Sequence, residues 1–178
     1  MSIENGDAAG GESMTIRPNR SGKLWSENPE RWRALCVEEA CPWCQGPGPP
    51  EEDLIAETEM CWVTAPVEAT LPGYVCVRTK SHAIEPYDLP EDARNAFFAD
   101  AMAVARGLAK AVHPTKMNYE IHGNTVPHLH MHLFPRMAND AYVGYVITNR
   151  VRYTRTPEQL DAIALAVRAE LSECHRLT

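Results

Sequence analysis

The chain has 178 residues, which is about the size of one globular domain. Lysine and arginine number 17 against 24 aspartates and glutamates, for a formal net charge of −7. This balance argues against broad binding of nucleic acid, which needs a basic face to replace counterions. We also expect no membrane span, because the sequence has no apolar run of roughly 18 residues.

The N-terminal residues are rich in glycine, serine and polar groups, which predicts a mobile tail over residues 1–22 and a single domain over residues 23–178. The first residues lack the basic and apolar regions of a signal peptide, so we expect a cytoplasmic protein. Its six cysteines are then thiols or metal ligands rather than a disulfide framework. A short helix is predicted over Asn28–Glu39, followed by a loop at Gly46–Asp53.

The rest of the chain reads as strands on either side of one long helix. Apolar residues recur at helical spacing from Pro90 to His113, and Pro114 ends the run. A closing helix is predicted over Glu158–Arg176. The predicted strands are Leu54–Thr58, Cys61–Ala65, Tyr74–Thr79, Lys116–His122, His128–Pro135 and Tyr142–Asn149. Without regular alternation of strand and helix, this order predicts an α+β fold with a mainly antiparallel sheet of about five to six strands.

The most informative segment carries three alternating histidines. Side chains in a strand alternate with period two, so His128, His130 and His132 share one face while the apolar residues between them face a core. Imidazole is nucleophilic near neutral pH and can also contact phosphate oxygens. One histidine could therefore attack phosphorus and form a covalent nucleotidyl-histidine, while its neighbours hold the oxygens.

Two other interpretations stay open for the same strand. A pair such as His128 and His130 could bind zinc in an enzyme of another class, although three histidines spread over roughly 13 Å cannot easily share one ion. A non-catalytic nucleotide-binding module is the other alternative. The first predicts that His130→Ala loses metal, and the second predicts nucleotide binding without turnover.

A Cys-x-x-Cys pair, Cys41-Pro-Trp-Cys44, precedes the first predicted strand. Such a pair is ambiguous between redox chemistry and zinc. A redox pair usually depends on a helix N-terminus to stabilise its thiolate. The following Gln45-Gly-Pro-Gly-Pro-Pro cannot start a helix at once, so zinc is preferred, with two further ligands needed.

The histidine segment resembles the signature of the histidine triad (HIT) superfamily, His-φ-His-φ-His-φ-φ with φ apolar. Here it runs from His128 to Phe134 and is followed by Pro135-Arg136. The upstream Gly123-Asn124-Thr125-Val126 is similar to the family's Gly-Gln-(Ser/Thr)-Val, and the resemblance extends from about Cys41 to Arg136. It implies a HIT-like fold with one long central helix and a C-terminal helix, a homodimer, and binding of a small nucleotide.

The resemblance also implies roles for five residues. His130 falls on the nucleophile, His132 on a contact to phosphate oxygens, and Asn118 on a contact to phosphate or ribose. Asn124 and Thr125 fall on the polar pair near the phosphate and the leaving group. The implied activity is that of a hydrolase or nucleotidyl transferase that cleaves nucleoside-phosphate-X, where Mg²⁺ could accompany polyphosphate substrates. Hydrolysis is favoured because the uridylyltransferase branch has glutamine in place of the third histidine.

Some HIT proteins pair an N-terminal Cys-x-x-Cys with a histidine after the third strand and with the first histidine of the triad. Those positions fall on His82 and His128. The resemblance thus implies a structural zinc site made of Cys41, Cys44, His82 and His128, with His128 as an anchor for the strand that carries His130.

Overall fold

The structure is a computed structural model that describes residues 23–47, 54–147 and 152–176. The predicted N-terminal tail lies outside the described residues, as does most of the predicted Gly46–Asp53 loop. The predicted single domain over residues 23–178 stays a prediction. The elements, in chain order, are α1 (Pro29–Ala34), β1 (Leu54–Glu57), β2 (Cys61–Thr64), β3 (Glu68–Ala69), β4 (Val75–Thr79), α2 (Glu91–Val112), β5 (Lys116–Glu120), β6 (His130–Arg136), β7 (Tyr153–Thr154) and α3 (Pro157–Cys174).

The predicted α+β fold is confirmed. Five strands form one sheet in the order β1-β2-β4-β6-β5, and each neighbouring pair is antiparallel. The strand β6 lies between β4 and β5, so its backbone is hydrogen-bonded on both sides. A histidine carried by β6 is therefore held by a rigid, doubly paired strand.

One face of the sheet is covered by the long helices α2 and α3. The helix α2 begins just after Pro90 and ends at His113, which adopts a left-handed conformation with φ 49°. Thr156 caps α3 with a reciprocal capping box, which satisfies backbone donors at its first turn. The core between helices and sheet is apolar and includes Val63, Val77, Phe97, Val104, Leu108, Leu129, Met131, Leu133 and Val167.

Three sequence-based boundaries need correction. The described part of the predicted Tyr142–Asn149 strand, residues 142–147, forms turns instead, and residues 148–149 lie outside the described part. Asp140 causes this turn, because its carboxylate accepts the backbone N–H groups of Met137 and Tyr142. The predicted Asn28–Glu39 helix ends at Ala34 and is followed by a 3-10 turn.

The histidine strand begins at His130, so the prediction that it begins at His128 was wrong. His128 lies in the preceding loop, where the backbone N–H of Leu129 donates to Ala83 rather than to a ladder partner. The small two-stranded pair β3–β7 was not predicted, since two-residue strands leave no periodic signal. Within the described ranges, no helix combines the length and the apolar character that crossing a bilayer requires.

Candidate active site

The histidines of β6 lie on the sheet face that is turned away from α2 and α3. Met131 and Leu133 belong to the core beneath the helices, so the alternating His130 and His132 face the other way. The register places His130 opposite Arg78 of β4. The side chains of His130 and His132, which lie inside the strand, thus share one face of the sheet, as the sequence predicts.

His130 has one ring nitrogen engaged and the other available. Its Nδ1 lies 2.6 Å from the carbonyl oxygen of His128, and a carbonyl accepts only, so Nδ1 carries the hydrogen. Burial lowers the pKa of His130 to about 4, against the opposing effect of that hydrogen bond. The ring is therefore neutral at pH 7, and its lone pair resides on Nε2.

Trp43 covers His130. The two ring centroids are 4.7 Å apart with an interplanar angle of 85°, and His130 is only 4% exposed. Trp43 lies between the two cysteines of the Cys-x-x-Cys pair, so the loop that carries the thiols also forms a roof over this histidine.

His132 is held by a tyrosine that the sequence reasoning missed. The hydroxyl of Tyr74 lies 2.7 Å from His132 Nδ1, and the centroids of the His130 and His132 rings are 4.7 Å apart. Burial, followed by the charges of His130 and His122, lowers the pKa of His132 to about 3. Tyr74 lies two residues before Cys76, which pairs with His132, so the side chains of Tyr74 and His132 share one face of the sheet. Only the strand register shows that these two side chains are close.

The three predicted polar contacts lie on β5 and on the loop that follows it. Asn118 is half-buried and pairs across the sheet with Phe134, so it shares the face of His132. Asn124 is exposed and Thr125 is half-buried, both in the loop between β5 and β6. The sheet thus brings Asn118 to the histidine face, whereas the placement of Asn124 and Thr125 at the site stays a prediction.

His122 and Arg78 also border the histidines. His122 is exposed, its Nε2–H donates to the Glu120 carboxylate at 2.9 Å, and its ring centroid lies 5.4 Å from that of His132. Arg78 is 1% exposed, and its guanidinium carbon lies 4.9 Å from the ring centre of Trp43. A buried cation beside the histidines lowers the pKa values of His128 and His130 further, although burial is the larger cause.

Four side chains form a group that could hold a metal ion. The ligand atoms of Cys41, Cys44, His82 and His128 all lie within 4.8 Å of one another. His128 Nδ1 is 3.4 Å from the Cys41 sulfur and 3.5 Å from the Cys44 sulfur, and His82 Nδ1 is 3.2 Å from the Cys44 sulfur. Tetrahedral zinc with bonds of about 2.0–2.3 Å separates its ligand atoms by roughly 3.3–3.8 Å, so this donor set fits.

The surroundings of this group favour metal binding. The Nε2–H of His128 donates to the carbonyl oxygen of Thr79 at 2.8 Å, which leaves Nδ1 to face the thiols. Burial, together with the neighbouring Cys41, raises the pKa of Cys44 to about 12. A divalent cation at the centre would reverse that effect by stabilising the thiolates. No second group of three or more such ligands occurs in the described part of the chain, so nothing there supports a Mg²⁺ site.

Two open grooves lie elsewhere, each of about 620 Å³, and both are bordered by α3. Neither is lined by a histidine of β6. One of them reaches Thr58, Lys80 and His175, and His175 Nε2 lies 3.0 Å from a carboxylate oxygen of the buried Asp100. We place the candidate site at the histidines because several reactive side chains lie close together there, whereas no such cluster lines either groove.

The fold and the paired histidines on the open face of the sheet define the class of histidine triad proteins. The sequence profile of the HIT domain matches residues 49–139, just over half of the chain, and the chain belongs to this family. The HIT fold and the resemblance predicted from the sequence are thus confirmed.

Individual relatives are more distant. An adenosine 5'-monophosphoramidase from Saccharomyces cerevisiae is 29% identical over 87 residues, which span 46% of this chain and 52% of that protein. A histidine triad protein from Bradyrhizobium japonicum superposes with a TM-score of 0.62 at 21% identity, covering 68% of this chain and 91% of its own. A zinc-bound histidine triad protein from Mycobacterium smegmatis gives a TM-score of 0.55 at 21% identity, covering 80% and 100%. At these identities the two structures establish the fold alone.

Proposed function

We propose that this chain is a nucleotide hydrolase or nucleotidyl transferase in which His130 attacks the α-phosphorus of a nucleoside-phosphate-X substrate. The observation that carries the proposal is the hydrogen bond of 2.6 Å between Nδ1 of His130 and the carbonyl oxygen of His128. It directs the lone pair to Nε2 on a rigid strand. The similarity to the yeast adenosine 5'-monophosphoramidase supports an amine as the first leaving group to test.

In the first step the lone pair of His130 Nε2 forms a bond to phosphorus while the bond from phosphorus to X breaks. X leaves with that electron pair and takes up a proton. The ring becomes cationic, and its Nδ1–H remains hydrogen-bonded to the carbonyl of His128, which stabilises the positive charge. In the second step the oxygen of water bonds to phosphorus, the N–P electron pair returns to Nε2, and the nucleoside monophosphate leaves with the water's proton released.

The neighbouring residues serve this chemistry by contact and orientation. His132 is neutral, and in the tautomer that we assign, the Tyr74 hydroxyl donates to Nδ1 and the Nε2–H donates to a phosphate oxygen. Asn118 contacts the phosphate or ribose from β5, and Asn124 and Thr125 contact the phosphate and the leaving group from the loop. These roles rest on the family resemblance together with the placement described above.

We further propose that Cys41, Cys44, His82 and His128 hold a structural zinc ion. The distances between their ligand atoms support this, and so does the zinc-bound relative from M. smegmatis. The alternative of a zinc enzyme that uses His130 as a ligand is less favoured, since His130 does not belong to the described ligand group. Metal analysis should find about one zinc per chain in the wild type and none in Cys41→Ala, with zinc retained in His130→Ala.

The nucleophile can be tested with adenosine phosphoramidate as substrate. We expect His130→Ala to lower kcat by at least roughly a thousand-fold and to abolish the covalent adduct in quenched-reaction mass spectrometry. His113→Ala, an exposed histidine at the end of α2, is the matched control and should leave both unchanged. Turnover or an adduct in His130→Ala would disprove the proposal. Nucleotide binding by the wild type with neither turnover nor adduct would instead identify a binding module.

Three further expectations stay predictions. A homodimer is implied by the resemblance and is tested by light scattering on the purified chain. A cytoplasmic location is tested by fractionation. A Mg²⁺ requirement is tested by comparing phosphoramidate with dinucleoside polyphosphate in the presence and absence of the ion, and only the polyphosphate reaction is expected to respond.

A further inference from the structure

The segment that precedes the family match lies across the loop that carries Asn124 and Thr125. We call residues 23–35 the N-terminal strap; they lie outside the matched residues 49–139. Three successive carbonyl oxygens of the loop each accept one hydrogen bond from the strap. The bonds are Trp32 Nε1–H to Gly123 at 2.9 Å, the backbone N–H of Trp25 to Asn124 at 2.9 Å, and Arg31 Nη1–H to Thr125 at 3.1 Å.

The strap is a locally organised unit. The side chain of Asn28 caps α1 by accepting the backbone N–H of Arg31 at 3.0 Å, and the carbonyl of Leu24 accepts from the backbone N–H groups of Glu27 and Asn28. Arg31 also donates to the carbonyl of Lys23, which ties the start of the strap to its helix. The three donors are therefore presented from one short folded unit rather than from independent side chains.

The first half of the loop, residues 121–125, has no backbone hydrogen bond of its own among the described residues. Gly123 adopts a left-handed φ of 67°, and residues 121–129 belong to no strand. Among the described residues, every hydrogen bond accepted by the carbonyls of residues 123–125 comes from the strap. Phosphoryl-transfer sites lose rate when polar groups shift by about 1 Å, so a loop that carries such groups must be held from outside.

We propose that the strap is a positioning device for the leaving-group side of the active site, with Trp32 and Arg31 as its positioning residues. This inference rests on the proposed function. The two side chains hold the backbone of residues 123–125, and that backbone directs the side chains of Asn124 and Thr125 toward the substrate. Loss of the strap bonds then weakens contacts that form as X departs, so kcat falls more than KM rises.

The kinetic test uses conservative substitutions in the full chain. Trp32→Phe removes the indole N–H and retains an aromatic ring, and Arg31→Ala removes the second side-chain donor. We expect the double variant to lose roughly ten- to a hundred-fold in kcat on adenosine phosphoramidate, with a larger loss for poorer leaving groups. Arg31→Lys should recover part of the loss. The matched control is Arg33→Ala, an exposed arginine on the same helix, which should match the wild type.

A second measurement separates positioning from folding and from the proposed chemistry. Hydrogen exchange should speed up at the backbone amides of residues 121–125 in the double variant, while the amides of α2 and β6 keep their protection. Affinity for AMP, which has no leaving group, should change much less than kcat. Unchanged loop exchange, or a uniform loss of protection across the sheet, would overturn the role of the strap. If the wild type shows no turnover, the proposed function fails, and loop exchange still decides whether the strap holds the loop.

Discussion

At the residue scale, two histidines two positions apart present opposite ring nitrogens. His128 donates through Nε2 to the carbonyl of Thr79, so its Nδ1 faces the thiols. His130 donates through Nδ1 to the carbonyl of His128, so its Nε2 carries the lone pair. Backbone carbonyls thus select the tautomer in both cases, and one residue type becomes suited to metal binding or to nucleophilic attack by its hydrogen bond alone.

Arg136 illustrates a residue whose role follows from its partner. Arg136 Nε and Nη2 donate to the two carboxylate oxygens of Asp140 at 2.7 and 2.9 Å. Nη2 also donates to the carbonyl of Tyr142. The ion pair therefore shapes the turn after β6.

We expect Asp140→Asn to lower the free energy of unfolding at pH 7 by roughly 2–4 kcal/mol, because it leaves the mostly buried Arg136 without its counter-charge. The hydrogen bonds from Arg136 hold the pKa of Asp140 below its usual value. This stabilisation is fully present above the unfolded pKa of about 3.9 and is lost as pH falls through the folded value. The difference between the denaturation curves of wild type and variant should therefore begin to shrink only as pH falls below about 4. Asp161→Asn, on the exposed side of α3, is the control and should show no such difference.

At the scale of elements, the two long helices pack closely because α2 contains a glycine at their contact. A methyl group on Gly107 would lie 2.7 Å from the Cα of Val167 and 2.9 Å from the carbonyl oxygen of Ala166. Both neighbours are backbone atoms of α3, which cannot rotate away as a side chain can. Glycine inside a helix is otherwise unfavourable, so close approach of the helices is the physical reason for this residue.

Gly107→Ala should therefore destabilise the protein, even though alanine favours helix by about 1 kcal/mol. We expect a net loss of about 1–3 kcal/mol from the overpacked contact. Urea unfolding followed by circular dichroism measures it, with Asn95→Ala on the exposed face of α2 as a control that stays within about 0.5 kcal/mol of the wild type. An increase in stability for Gly107→Ala would contradict the close helix contact.

At the scale of the whole molecule, the cysteine and histidine group joins three distant parts of the chain. Cys41 and Cys44 precede the sheet, His82 follows β4, and His128 leads into β6. The same loop carries Trp43 onto His130. An ion bound there would close long loops. It would also hold Trp43 against His130 and anchor the start of β6 through His128.

Removal of zinc should consequently lower thermal stability. Because an ion that binds only the folded state contributes RT ln(1 + [L]/Kd), excess zinc at a hundred times Kd contributes about 2.7 kcal/mol. We expect the melting temperature to fall on chelation and to recover on adding zinc. Cys41→Ser should abolish this response, and Cys174→Ser, a cysteine outside the group, should keep it. A response that persists in Cys41→Ser would place the ion elsewhere.

The parts of the fold that follow from local pattern were predicted well. The helix α2 was placed within a residue of its observed ends, because apolar spacing, early acids and Pro114 all act locally. The strand ends near the histidines were less accurate, since pairing partners rather than propensity decide where a ladder begins. The Tyr142–Asn149 prediction was wrong over its described part because the contact between Arg136 and Asp140 outweighs β propensity there.

The amino-acid sequence by itself determined the α+β class, the resemblance and the alternation that puts His130 and His132 on one face. These depend on periodicity and on motif spacing, which a linear chain displays. The group of Cys41, Cys44, His82 and His128 was implied by the resemblance, and the tertiary structure brings its ligand atoms together. The tertiary structure alone decided that Tyr74 holds His132, that Trp43 and Arg78 border His130, and that the strap holds Gly123–Thr125. Such contacts join residues up to 94 positions apart. They arise from strand register and loop packing, which no local pattern in the sequence encodes.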